Sequence, residues 1–189
     1  MPVRTYVLGH NGGIEMTTYT IDTAHSDVGF SVRHMVFAKV RGHFTKWSAD
    51  LAFDPANPAK DSVNVTIQVD SIDTREPQRD GHLKSPDFLD AAKHPTITFK
   101  STKVEGGGKH YQVTGDLTIH GVTKSVPLEV EELGGGKDPW GNQRVGFHAK
   151  TKVDRKDFGL TWNQVLETGG VLVGETIDIE IDVEAIAKP

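Results

Sequence analysis

The chain has 189 residues, no cysteine, a formal net charge of -5 and a pI near 6.0. That excludes disulfides, thiolate zinc sites and a cysteine nucleophile, and it argues against nucleic acid as a partner, since no basic face is available. Apolar residues make up 36%, enough for one real core.

No run reaches the roughly 18 apolar residues of a membrane helix, so stable membrane insertion is not expected. Residues 1–15 hold no apolar segment of signal-peptide length, which points to a cytoplasmic location. They read as a flexible N-terminal extension, and 16–189 as a single domain.

From there the dominant signal is a period of two, the mark of strands with one dry face. Strand candidates are 18–23, 26–33, 40–53, 61–71, 96–104, 110–120, 122–132, 143–153 and 173–187. The dry faces carry Phe30 and Val32, then Phe44, Trp47, Ala49 and Leu51, then Val63, Val65, Ile67 and Val69. Farther on they carry Ile97, Phe99, Leu117, Ile119, Phe147 and Ala149, and finally Ile177, Ile179 and Ile181. Turn signals separate the runs: D-P-A-N-P at 54–58, three glycines at 106–108, His120-Gly121, and G-G-G-K-D-P-W-G-N at 134–142. Both glycine triplets read as hairpin loops, since neither opens a helix that could cradle a phosphate. Short sequential hairpins predict an all-β fold, an antiparallel up-and-down barrel of about eight strands.

Three segments break the alternation and read as short helical lids. Residues 34–39 predict a helical turn carrying Val36. In 72–95, Ser85-Pro86-Asp87 predicts a helix start that aims Phe88 and Leu89 at the sheet. Residues 154–172 carry Phe158 and Trp162 without strict period. A connection as long as the second is usually functional or a lid.

Large inward residues alternate with small ones (Ala49, Gly115, Ala149). An eight-stranded barrel either fills itself or holds one slim ligand. The small positions and the lids favour the hollow alternative. No ionised side chain is expected in mid-cavity, where an unpaired charge is costly.

The chemistry-bearing residues are less specific. The nine histidines show no H-x-x-x-H or H-E-x-x-H spacing, so no metal site is expected. There is no G-x-S-x-G elbow and no catalytic constellation, so the chain does not read as an enzyme. The acidic stripe Asp178, Glu180, Asp182 and Glu184 reads as a solvated strand face. Arg79 and Asp80 either staple their lid or, with His34 and His82, meet a ligand's polar head at the barrel mouth.

Y-T-I-D-T-A-H-S-D-V-G-F-S-V-R-H (19–34), V-R-G-H-F (40–44), R-D-G-H-L-K-S-P-D-F-L-D (79–90), K-H-P-T-I-T-F-K-S (93–101), G-D-L-T-I-H-G-V-T-K-S-V (115–126) and F-G-L-T-W (158–162) together resemble the YceI-like family. The resemblance covers about residues 18–187. It implies a lipocalin-like barrel, often a homodimer, that binds polyisoprenoid chains and needs no cofactor beyond that lipid. The leading expectation is binding, storage or transport of an isoprenoid lipid, such as a polyprenyl chain or quinone tail. The rival is a lipocalin-fold enzyme or metal-dependent hydrolase at the barrel mouth. A third reading is a stress-response protein with a filled barrel.

Overall fold

A computed structural model describes residues 16–167 and 169–189; the 1–15 extension lies outside the described residues. The strands are β1 (Thr17–Ile21), β2 (Asp27–His34), β3 (Ala38–Phe44), β4 (Trp47–Phe53), β5 (Ser62–Gln68), β6 (Ile72–Asp73), β7 (Thr96–Gly107), β8 (His110–Ile119), β9 (Val122–Lys137), β10 (Gln143–Asp154) and β11 (Val173–Ala187). Among the described residues there is one α-helix, α1 (Pro77–Lys84).

All ladders are antiparallel. From β4 they run through β5, β7, β8, β9, β10 and β11 to β1, which pairs with β4 again and closes an eight-stranded barrel. Closure gives the eight barrel strands neighbours on both sides, which limits the open edges that would otherwise invite aggregation. β1 and β2 lie in tandem along β11: Tyr19–Ile21 face Ala185–Ala187, and Val28–Val32 face Ile177–Ile181. β3 and β6 extend the sheet beyond β2.

The barrel has two unlike ends. The turns after β4, β7 and β9 define a hairpin end. The other is a lid end, where β5 and β10 run into the long connections around α1 and after Asp154.

Several local expectations need correction. Residues 40–53 are two strands, broken at Thr45-Lys46, where Thr45 N donates to Ser71 O and Gln68 N to Lys46 O. Residues 34–39 form no helical turn; they are the β2–β3 hairpin tip, with Met35 and Val36 at φ 50° and 70°. The helix ends at Ser85 rather than starting there. Its N-cap is Glu76, whose carboxylate accepts from the amides of Gln78 and Arg79, with Pro77 opening the first turn. Gly134–Gly136 form no loop: β9 runs through them to Lys137. A Cβ on Gly135 would lie 2.6 Å from Arg144 O, so glycine permits the strands to approach closely. The turn itself is Asp138–Asn142, where the Asp138 carboxylate accepts from Trp140 N and Asn142 N.

The outward acidic stripe of β11 is matched by bases on its neighbours. Asp178 meets Lys39 and Lys152, and Asp182 meets His148. Arg144 grips Glu184, Asp22 and Asp138 together. Such pairs across strands favour the register. The Arg144 guanidinium, helped by His25, holds Asp22 down to about 2. Burial pushes Asp138 up, but hydrogen bonds from Arg144 and Asn142 overcome it and hold that carboxyl well below its ordinary range.

Candidate functional site

The inward faces do not fill the barrel. They enclose a cavity of about 300 Å³, at the small end of the ligand-pocket range. Trp47, Ala49 and Leu51 of β4 line it, with Val63, Val65 and Ile67 of β5. Ile97, Phe99, Leu117 and Ile119 continue the wall, then Phe147 and Ala149 of β10, then Ile177, Ile179 and Ile181 of β11. Phe30 and Val32 of β2 and Phe44 of β3 complete it. Val63, Val65, Ile67, Ile177, Ile179 and Ile181 point inward yet are only half-buried. Side chains of a filled barrel would be covered there; these keep surface facing the lumen.

Tyr111, Val113, Val126, Leu128 and Val130, absent from the expected wall, also line the cavity. Their alternation along 110–120 and 122–132 carried the signal. Gly115, expected as a small position that makes room for ligand, does not do so. That space belongs to Phe99: a Cβ on Gly115 would fall 2.3 Å from the Phe99 ring. Gly42 stands in the same relation to Phe30, at 2.5 Å.

An aromatic cluster closes the hairpin end. Phe53 meets Phe147 and Tyr111 edge-on, with centroids 5.0 and 5.8 Å apart, the geometry that ring quadrupoles favour. Asp61 borders the cavity here. Its carboxylate accepts from Asp54 N at 2.7 Å, and burial pushes its pKa up to about 6.

Lid residues close the other end. Phe158 is buried to 1% exposure, and Phe88, Leu89, Leu83 and Ile72 pack over the lumen. Arg155 also borders the cavity. Its Nε donates to Gly174 O and its Nη1 to Leu160 O, which ties the closing loop to β11. Asp61 and Arg155 therefore sit at opposite ends, and mid-cavity is apolar.

Two expected wall residues lie elsewhere. Val36 stands 69% exposed at the β2–β3 tip, because a left-handed hairpin residue projects away from the sheet. Trp162 packs outside the wall, on His82 and Phe88. The three expected head-group contacts also stand outside it. Arg79 Nε donates to Thr74 Oγ1 and a terminal nitrogen to Thr74 O, while Asp80 accepts from Thr74 N, so the pair staples the lid. His82 is hydrogen-bonded to Asp87 at 2.9 Å. His34 sits at the end of β2, between Ala38 and Val173. His25 joins Asp22 at the hairpin end, and His94 packs against His120.

A closed antiparallel barrel with lids at one end and a dry lumen defines a lipocalin-like fold. A model of the YceI-like domain matches residues 19–185. The chain belongs to the YceI-like family. It is similar to a UPF0312 protein of Vibrio cholerae, 41% identical over 173 residues, covering 90% of this chain and 87% of that one. Among solved structures it resembles BcnA of Burkholderia cenocepacia at a TM-score of 0.76 and 28% identity, covering 87% of this chain and 98% of that one. It also shares the fold of a polyisoprenoid binding domain from Saccharophagus degradans, at a TM-score of 0.62 and 14% identity, covering 92% and 100%.

Proposed function

We propose that this protein binds a long isoprenoid lipid, a polyprenyl chain or the tail of an isoprenoid quinone, in the barrel lumen. The observation that carries this is the cavity: about 300 Å³, apolar along its middle, with partly uncovered inward-facing aliphatics. The polyisoprenoid binding domain that shares the fold supports the ligand class. Each buried methylene contributes about 0.8 kcal/mol, so a slim hydrocarbon gains enough to offset its ordering. Lids at one end suit a carrier that loads, shields and releases its lipid.

The test is organic extraction of the purified protein followed by mass spectrometry. The expected result is a prenyl-containing lipid at a fixed ratio to protein. A protein that neither carries such a lipid nor takes one up when offered would overturn the reading.

A further inference from the structure

Two groups of described residues bring three metal-ligating side chains together. Asp22, His25 and Glu184 form one, but both carboxylates already grip Arg144. A cation stands there, so a metal ion would have to displace it.

The other group is Asp90, His94 and His120, at the lid end. Asp90 and His94 occupy one tight turn, with His94 N donating to Asp90 O at 2.8 Å. His120 arrives from the β8–β9 hairpin. Asp90 and His120 both take left-handed backbone, at φ 46° and 52°, conformations that cost free energy in non-glycine residues. Gly121 leaves room for the His94 ring beside His120, since a Cβ there would fall 2.8 Å from His94 Cε1.

Two of the three donors have no competing partner among the described residues. Among the described residues neither imidazole makes a hydrogen bond; the rings only meet each other, with centroids 4.8 Å apart. The buried Asp90 carboxylate is approached by Lys93 alone, 3.3 Å away and 76% exposed, a side chain free to swing out.

We propose that Asp90, His94 and His120 bind a divalent transition-metal ion of the zinc class. Two imidazoles and a carboxylate are a borderline-soft N₂O donor set that suits it. The ligand atoms lie within 4.8 Å of one another. Zinc ligands sit about 3.4 Å apart around a tetrahedral ion, so modest side-chain rotations complete the site and leave one position for water. Asp90 directly follows Phe88 and Leu89, the lid residues over the lumen, and His120 directly follows Ile119 of the wall. The ion therefore ties the lid to the barrel.

Tag-free protein stripped with chelator and titrated with zinc chloride tests this, with calorimetry, melting and hydrogen exchange as readouts. One zinc per chain is expected. The melting midpoint should rise by roughly 5–10 °C at a hundredfold excess over Kd, and amide exchange across 85–95 should slow. His94→Gln with His120→Gln should lose all three responses while its metal-free midpoint stays near that of the native protein. Asp90→Asn, which keeps both imidazoles, should weaken zinc binding by roughly tenfold or more. No stoichiometric uptake, or equal uptake by the double variant, overturns the metal site. Uptake without slower exchange across 85–95 overturns its role as a tie.

Discussion

Asp61 shows what a single misfit group does to the stability of a dry barrel. Its folded pKa, about 6, lies above the ordinary 3.8 because burial opposes the charge. The folded state therefore holds a proton that the unfolded state has released between about pH 4 and pH 6. Raising the pH through that window removes stability. Asp61→Asn removes this titration and keeps an oxygen for Asp54 N. Its melting midpoint should gain on the native protein as pH rises from 4 to 7, by the equivalent of about 1 kcal/mol once solvent screening is discounted. A constant gap across that range would mean Asp61 ionises normally. Gly115 makes a second test at this scale. Adding a methyl beneath the Phe99 ring should cost about 1–3 kcal/mol in Gly115→Ala, read from denaturant midpoints, because the ring and Lys100 O leave no room. The alternation told which side of the strand each residue faced. It could not tell that a neighbouring ring had already claimed the space over Gly115, since that depends on a rotamer from another strand.

At the scale of elements, the long ladders were legible and the connections were not. β5 and β11 announce themselves through strict alternation. The helix starts at Glu76-Pro77 and has ended by Ser85-Pro86, the start that the sequence suggests, because the segment holds two proline-led starts. Serine is the better intrinsic cap, yet the Arg79–Thr74–Asp80 staple makes the earlier start the one that closes on the barrel. Gly134–Gly136 misled in the opposite sense: glycine there permits close strand approach instead of a turn. The aim of Phe88 and Leu89 at the sheet was correct even though the helix preceding them was misplaced, because burial rather than helical phase set their direction. These residues test the lid. Phe88→Ser with Leu89→Ser should lower lipid occupancy several-fold in mass spectrometry while barrel amides keep their exchange protection, since a lid opens locally. Parallel loss of protection in β7 to β10 would instead make the segment ordinary core.

At the scale of the molecule, period two and short turns were sufficient for a closed antiparallel barrel. They could not decide whether it was hollow, because inward aliphatics look the same in either case. The half-buried state of Val65, Ile67, Ile179 and Ile181 is a property of the assembled wall, which no local pattern encodes. Ala149 converts that into an experiment. It lies on β10 between Phe147 and Thr151, opposite Ile181 and Val130, and borders the cavity. Glu180, one residue before Ile181, is exposed on the outer face. In a lumen that takes a lipid tail, Ala149→Trp places its indole where the chain would run, so bound lipid falls sharply while the denaturation midpoint changes by less than about 1 kcal/mol. In a barrel whose apparent space closes up in solution, the same indole overpacks the core at a cost of about 1–3 kcal/mol. Glu180→Trp controls for adding an aromatic to the same sheet and should move neither quantity. Extracted lipid by mass spectrometry and the denaturation midpoint are measured on all three proteins. An Ala149→Trp protein as stable as the native one that still carries its full lipid complement would show that the tail does not pass this point of the lumen.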